Sequence, residues 1–167
     1  MSAQPRFPRV LDDVTVRLIA AVVLVLAVAA LAFHQWWIYA VLAVDFILRT
    51  TFGPKTSPVA LGVQRFVRPR VRALKRPTAG PPKRFAAGIG ATLTAVAAVL
   101  WVLGVAGPVV VTIGVVMILF PALEAVLGLC VGCKAFGALM RLGIVPEEIC
   151  LECADISLRH VNMPDSA

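Results

Sequence analysis

The stretch that decides the fold covers residues 108–133 and reads PVVVTIGVVMILFPALEAVLGLCVGC. The segment 108–129 contains a single charged side chain, Glu124, and it is as long as the roughly 20 residues that a helix needs to cross a bilayer. The stretch ends in a C-x-x-C pair, Cys130 and Cys133. The sequence therefore predicts a membrane-spanning helix followed directly by two thiols at the membrane surface.

The composition of the whole chain agrees with a membrane location. Apolar residues make up 60% of the sequence and charged residues 15%, and the mean hydropathy is +0.91. Soluble domains are closer to about 45–50% apolar and about 25% charged. We expect an all-α fold, a four-helix transmembrane bundle in the lipid bilayer with a short helical, cysteine-containing tail. The predicted spans cover about residues 14–33, 36–52, 85–106 and 108–129.

The distribution of basic residues predicts the orientation. Nine of the sixteen basic residues lie between Lys55 and Arg84, a stretch with no acidic residue. Basic loops stay on the cytoplasmic side, so the loop at 53–84 places the N-terminal segment 1–13 and the tail 130–167 there as well. We predict a multi-pass protein of the bacterial inner (cytoplasmic) membrane with both termini cytoplasmic. A basic patch between two apolar runs suits anionic lipid and argues against nucleic acid as a partner.

Two charged residues fall inside the second predicted span. An isolated Asp45 at the bilayer centre would cost about 2.5–3.5 kcal/mol. Arg49 follows four positions later, so the two side chains can pair along one helix face. One interpretation is a buried pair that helps to pack the bundle; the other is a proton or ligand site.

Glu124 is the third intramembrane polar residue. It is either a structural acid paired with Arg49 or Arg84, or a proton acceptor near the thiols. Contact with Cys130 requires the helix to break at one of the two glycines that follow, because six residues of continuous helix place the two side chains on different faces.

The cysteines form two pairs, since Cys150 and Cys153 repeat the C-x-x-C spacing sixteen residues after the first pair. Cytoplasmic thiols are in a reducing compartment, where such pairs indicate catalysis or metal more often than static disulfides. In a redox interpretation all four are catalytic, and nearby cations such as Lys134 favour the thiolate. That interpretation weakens if Cys130 continues the membrane helix, because the amides near it are then used.

The same four residues, Cys130, Cys133, Cys150 and Cys153, also fit a zinc site. Tetrahedral zinc needs four converging thiolates, and two C-x-x-C pairs at this separation are typical of such sites. A third interpretation is that the cysteines are small buried residues without chemistry.

A resemblance adds to these residues. The order of the four apolar spans, the basic middle loop and the ending L-E-A-V-L-G-L-C-V-G-C resemble a bacterial, actinobacterial-type family of small integral membrane proteins of unknown function. The similarity extends from about Val10 to Met140, and most of it lies in the motif E-x-x-x-G-x-C-x-G-C, formed by Glu124, Gly128, Cys130, Gly132 and Cys133. The resemblance implies a membrane protein encoded near thioredoxin-like or sulfurtransferase proteins.

Three functional hypotheses follow, and they leave open whether the chain is an enzyme. The first is a thiol–disulfide or sulfur-transfer partner of a thioredoxin-like or sulfurtransferase protein, with Cys130–Cys133 as the primary pair and Cys150–Cys153 as the relay. The second is a membrane scaffold or binding module stabilised by a four-cysteine zinc site. The third is a small transporter or lipid-interacting protein that uses Asp45, Arg49 and Glu124.

Overall fold

The computed structural model describes residues 8–105, 107–150 and 153. Over these residues the chain is mostly helical, which confirms the helical character of the predicted fold. The α-helices of this part of the chain are α1 (Asp13–Ala32), α2 (Trp37–Phe52), α3 (Pro58–Gly62), α4 (Gly80–Val102), α5 (Pro108–Ala122) and α6 (Val131–Arg141).

Among the described residues, three helices are long and apolar enough to cross a membrane: α1, α4, and α5 with the π-helical turn that extends it to Leu127. The chain is therefore a membrane protein by the length and composition of its helices. The second predicted span is shorter than the other three. Helix α2 has 16 residues, about 24 Å, against about 30 Å for a hydrocarbon core. Gly53, with φ of 91°, ends it.

Helix α2 nevertheless belongs to the bundle, because it packs closely on α4. A Cβ atom at Gly90 of α4 would lie 2.8 Å from the ring of Phe46 of α2, so only glycine permits this approach. One turn further along, Thr94 is fully buried and donates its hydroxyl hydrogen to the Gly90 carbonyl at 2.7 Å. Small residues therefore determine the distance between the two helices.

A short antiparallel ribbon joins the start of α1 to the start of α4. Strand β1 (Val10–Asp12) pairs with β2 (Pro77–Ala79), with Val10 opposite Ala79. We did not predict these strands, since each has only three residues and neither shows a periodic pattern. The ribbon holds the N-terminal segment and the end of the basic loop at the same end of the bundle.

Asp12 connects α1 to the basic loop at this end of the bundle. It is the N-cap of α1, and its carboxylate accepts hydrogen bonds from the Thr15 amide at 3.3 Å and the Thr15 hydroxyl at 2.7 Å. The same carboxylate pairs with Arg68 at 2.9 Å and accepts from the Arg76 amide at 3.0 Å. One side chain therefore joins α1 to two points of the basic loop.

The basic loop is largely ordered. Helix α3 continues into a π-helix (Val63–Val67) and a 3-10 turn (Arg68–Arg70), and Ala60 and Val63 are buried in the main core. Helix α4 begins at Gly80, five residues before the predicted start of the third span at 85. The predicted boundary lies too late in the sequence because it was placed after Pro81 and Pro82, although proline is well tolerated in the first turn of a helix.

Candidate dithiol site

The chain turns sharply between the π-helical turn that extends α5 to Leu127 and the first cysteine pair. Gly128 adopts a left-handed conformation, with φ of 69° and ψ of 16°. The Leu129 amide donates to the Leu123 carbonyl at 3.1 Å, and the Gly128 amide donates to the Glu124 carbonyl at 3.0 Å. These bonds close the end of a π-helical turn around a left-handed glycine, and each spans one residue more than its counterpart in a Schellman motif. The interpretation that Cys130 continues the membrane helix is therefore wrong, and the predicted fourth span ends before 129.

Arg17 of α1 fixes this turn from across the bundle. Its Nε and Nη2 atoms donate to the Ala125 carbonyl at 3.3 and 3.1 Å, and Nη2 also donates to the Val126 carbonyl at 2.8 Å. Carbonyls in the last turn of a helix lack partners within the helix, and a guanidinium suits them in charge and geometry. We did not find this role from the sequence, because no local pattern relates residues 108 positions apart.

Cys130 is the N-cap residue of α6. Its backbone is extended, with φ of −87° and ψ of 108°, and its Sγ atom accepts a hydrogen bond from the Cys133 amide at 3.4 Å. The thiol therefore faces the free amides and the positive end of the helix dipole, an environment that favours a thiolate. Cys130 is buried, whereas Cys133, one turn inside the helix, is partly exposed.

The two thiols of this pair have opposite tendencies to ionise. A hydrogen bond from the Cys133 thiol lowers the pKa of Cys130, and the positive charge of Lys83 and the Cys133 amide act in the same direction against burial and the charge of Glu124. The pKa of Cys133 is raised, first by its hydrogen bond with Cys130 and then by burial. When the pair loses one proton, the negative charge is therefore favoured on Cys130 and the remaining proton on Cys133.

Two close contacts hold α6 against α4. A Cβ atom at Gly132 would lie 2.5 Å from the Cβ atom of Ala86 and 2.7 Å from its Cα atom, so the helices touch where Gly132 has no side chain. The rings of Phe85 and Phe136 lie 5.7 Å apart, centre to centre. The position of the dithiol therefore depends on where α4 begins.

The ion-pair partner of Glu124 is Lys83, rather than Arg49 or Arg84. The Lys83 Nζ atom lies 2.5 Å from a Glu124 carboxylate oxygen and 3.7 Å from an Asp13 oxygen, and the lysine side chain is 9% exposed. Lys83 reaches this position because α4 begins at Gly80 and therefore includes Lys83.

Asp45 and Arg49 form an ion pair along α2. Asp45 is fully buried, and its other carboxylate oxygen accepts from the Ser57 hydroxyl at 2.6 Å and the Val59 amide at 2.8 Å. This carboxylate therefore holds the beginning of α3 against the bundle. The Arg49 guanidinium also lies 4.9 Å from the centre of the Phe46 ring. These contacts favour the packing interpretation of the pair.

The second cysteine pair lies beside the first. Cys150 and Cys153 form a disulfide, whereas Cys130 and Cys133 are free. Cys133 and Cys153 line the same cavity of about 220 Å³ between α6 and the start of α4. Cys150 is fully buried and packs with Phe136. The two pairs therefore occupy adjacent positions, one in each oxidation state.

The structure does not gather a metal-binding set from the residues that it describes. Within 8–105, 107–150 and 153, no three His, Cys, Asp or Glu side chains come together as ligands. The remainder of the predicted tail, residues 151–152 and 154–167, lies outside the described part of the chain.

Comparisons with known proteins identify the family and no closer relative. No curated protein and no solved structure matches the chain. A family model described as a domain of unknown function, DUF4395, matches residues 11–141. The match includes Cys130 and Cys133 and ends before Cys150, so the first pair lies within the family domain and the second pair lies beyond it. Because the match covers most of the sequence, the chain belongs to the DUF4395 family.

Proposed function

We propose that the chain is a membrane-bound dithiol protein that exchanges electrons or sulfur with a soluble thioredoxin-like or sulfurtransferase partner. The observation that carries the proposal is the position of Cys130, whose Sγ atom caps α6 and accepts from the Cys133 amide. A thiolate stabilised at a helix N-terminus, with a second thiol one turn inside the helix, is an arrangement suited to thiol–disulfide exchange.

The exchange takes place in two displacements. The Cys130 thiolate attacks a disulfide sulfur, a mixed disulfide forms, and the other sulfur leaves as a thiolate that takes a proton. Cys133 then loses its proton and attacks the Cys130 sulfur, which releases the second thiol. Two electrons and two protons leave the chain, and a Cys130–Cys133 disulfide forms. With a persulfide partner, the outer sulfur moves to Cys130 in the first displacement, and attack by Cys133 releases it as hydrogen sulfide.

The tail pair is the relay between Cys130–Cys133 and the soluble partner. Cys133 and Cys153 border one cavity, which supports direct exchange between the Cys150–Cys153 disulfide and the Cys130–Cys133 dithiol. This exchange needs no external oxidant, since one pair is oxidised as the other is reduced. A partner that reduces Cys150–Cys153 therefore supplies electrons to the pair at the membrane.

We also propose that the chain crosses the inner membrane four times, with both termini and the dithiols on the cytoplasmic side. The β1–β2 ribbon supports it, because α1 and α4 begin at one end of the bundle and α2 must return between them. Trp36 and Trp37 at the start of α2 suit an interface, and a bilayer accommodates a short helix at modest cost by thinning.

Thiol trapping across a series of redox buffers tests the exchange. We expect both pairs to titrate reversibly between dithiol and disulfide in the full chain. In a Cys150→Ser, Cys153→Ser background, the Cys133→Ser variant should accumulate a mixed disulfide with thioredoxin, because Cys130 attacks and no other thiol is present to resolve it, whereas Cys130→Ser should accumulate far less. Pairs that keep one oxidation state through the whole series would contradict the proposal.

The same preparations distinguish the other two hypotheses. A zinc scaffold would contain equimolar zinc that is lost in Cys150→Ser. A transporter would retain its growth or uptake phenotype after all four cysteines are replaced by serine.

A further inference from the structure

An open groove lies between α2 and α4, at the end of the bundle that carries the β1–β2 ribbon. It has a volume of about 770 Å³, within the range of about 300–1,000 Å³ that is common for ligand sites. Phe136 of α6 and Ile149 of the 3-10 turn Glu147–Cys150 border it on one side. Among the described residues that line the groove, none is acidic. The groove therefore suits a ligand with negative charge.

Two arginines line one end of the groove. Arg9 is exposed and precedes β1, and its carbonyl accepts from the Gly80 amide at 2.6 Å, which ties it to the start of α4. Arg84, one turn further along α4, donates from Nε to the Thr50 carbonyl at 2.8 Å, close to the end of α2. These bonds bring the backbone of Arg9 and the side chain of Arg84 to the same end of the groove, which is positively charged as a result.

The groove is apolar away from the arginines. Thr92, at its other end, lies eight residues after Arg84, which is about 12 Å along the helix axis. The Thr92 hydroxyl donates to the Gly88 carbonyl at 3.0 Å, so the hydrogen bond that it requires is made within α4. Phe85 and Ile89 supply apolar wall between the two ends. Charge is therefore confined to the end near the helix termini, and the apolar part points along α4 into the membrane.

The helix faces beside the groove are exposed and apolar. On α4, Val96 and Val99 are exposed and follow Thr92 at helical spacing, so the three residues share one face. On α2, Ile47 is exposed one turn before Thr51, which lines the groove. Exposed apolar faces of this kind contact lipid in a helix that spans a membrane, as α4 does by its length and composition. The apolar end of the groove therefore continues into a surface that faces acyl chains.

We propose that this groove binds one anionic phospholipid, with its phosphate at Arg9 and Arg84 and an acyl chain along α4 past Thr92. A phosphate accepts charge-assisted hydrogen bonds from guanidinium groups, and a phospholipid joins that phosphate to apolar chains in the order that the lining requires. The lining offers no carboxylate to the cation of a zwitterionic headgroup. The site does not depend on the dithiol chemistry. Through Phe136 and Ile149, the bound lipid contacts the cysteine-containing region and holds it at the membrane.

Native mass spectrometry of the full chain in detergent tests the site. The probe is dioleoyl phosphatidylglycerol, and dioleoyl phosphatidylcholine, which has the same acyl chains, is the comparison lipid. We expect one phosphatidylglycerol molecule per chain to bind at concentrations at which phosphatidylcholine does not. Glycerol phosphate, added in place of the lipid, distinguishes a whole lipid from its soluble headgroup, and we expect it not to bind at these concentrations.

Two matched pairs of substitutions locate the lipid. Arg9→Gln should weaken phosphatidylglycerol binding about fivefold, the effect of one basic residue at an anionic membrane surface. Arg72→Gln removes an exposed arginine of the basic loop that does not line the groove, so binding should not change. Thr92→Trp fills the apolar end and should weaken binding at least about tenfold, as loss of apolar contact for about two methylene groups would. Val96→Trp adds the same ring one turn beyond the groove and should leave binding unchanged.

Equal binding of the two lipids, or equal effects of the two members of either matched pair, would overturn the lipid site. Glycerol phosphate that binds as tightly as phosphatidylglycerol would also overturn it, in favour of a site for soluble phosphate. Lipid binding that appears only after removal of residues 154–167 would assign the groove to that segment of the chain. Each of these outcomes leaves the proposed dithiol function standing, because thiol trapping tests that function separately.

Discussion

Cys130 and Cys133 have the same side chain, but their positions in α6 give them different acidity. The lowered pKa of Cys130 follows from the Cys133 thiol, from Lys83 and from the Cys133 amide, so it depends on the folded arrangement. A free cysteine has a pKa of about 8.5, and Cys130 should ionise below it. This difference is directly measurable as reactivity.

The first prediction concerns alkylation by iodoacetamide in a chain with Cys150→Ser and Cys153→Ser. Because the thiolate is the reactive form, the alkylation rate should rise through a midpoint below that of a free cysteine and then level off. In Cys130→Ser the remaining thiol, Cys133, should react with a midpoint at or above that of a free cysteine, because partial burial raises its pKa. Identical profiles for the Cys130→Ser and Cys133→Ser variants would contradict the assigned roles.

Asp12 provides a second prediction at this scale. Partial burial acts to raise the pKa of Asp12, but hydrogen bonds from Thr15, the Arg76 amide and Arg68 hold it below its ordinary value. A carboxyl group with a lowered folded-state pKa stabilises the fold above its unfolded pKa of about 3.9, and this stabilisation is lost as pH falls through the folded-state pKa.

Asp12→Ala should lower the free energy of unfolding by about 1–2 kcal/mol at neutral pH, the range for a lost N-cap. The loss of unfolding free energy should become smaller below about pH 4, because the Asp12 carboxyl group becomes protonated in both the folded and the unfolded chain. Thermal unfolding in detergent at several pH values measures it. Asp12→Asn keeps the capping oxygen and loses the charge, so it should lower the free energy of unfolding by less. An effect of Asp12→Ala that does not vary with pH would show that the charge of Asp12 does not contribute to stability.

At the scale of elements, the contact between α4 and α6 determines the position of the dithiol. Substitutions at two glycines of α6 test this contact. Gly132 has Ala86 where its side chain would be, whereas no atom lies within 4 Å of a Cβ at Gly137. Gly132→Ala should destabilise the chain by about 1–3 kcal/mol, since α6 must move away from α4. Gly137→Ala should be neutral or stabilise by up to about 1 kcal/mol.

Thermal unfolding and the alkylation midpoint of Cys130 are the measurements for this pair. We expect Gly132→Ala to shift the midpoint upwards, because Lys83 belongs to α4 and the thiol moves away from it. A shift of the same size in Gly137→Ala would show that α6 is not held at Gly132.

The sequence predicted the elements better than the ways in which they meet. Apolar runs place α1, α4 and α5 because burial in lipid depends on composition alone, which can be counted along the chain. The left-handed turn at Gly128 is different. Two glycines, 128 and 132, were available to break the helix, and the bonds from Arg17 to the carbonyls just before Gly128 come from another helix. The Lys83–Glu124 pair and the β1–β2 ribbon also join distant parts of the chain, so no local sequence pattern predicted them.

At the scale of the whole molecule, the arrangement of helix ends predicts which connections share a side of the membrane. Gln35 follows α1 and Val105 follows α4, whereas Leu74 lies in the basic loop; all three are exposed. In a cysteine-free background, an impermeant maleimide should label Gln35→Cys and Val105→Cys in intact bacteria. It should label Leu74→Cys only after permeabilisation, because basic loops stay inside.

The pattern of labelling also tests whether α2 crosses. A helix α2 that stayed on one side would leave Gln35 and Leu74 on the same side as each other. Labelling of these two positions under the same conditions would therefore overturn the four-crossing topology, while leaving the three long helices in place.

The bonds from Arg17 to the carbonyls of Ala125 and Val126 connect α1 to the end of a helix that the ribosome produces about a hundred residues later. Arg17 cannot form these bonds until the residues up to Val126 have been synthesised. The turn at Gly128 closes only when α5 is complete, and Cys130 emerges immediately afterwards. Chain assembly and thiol activation are therefore consecutive events, and the appearance of a reactive Cys130 thiolate should report that the bundle has closed.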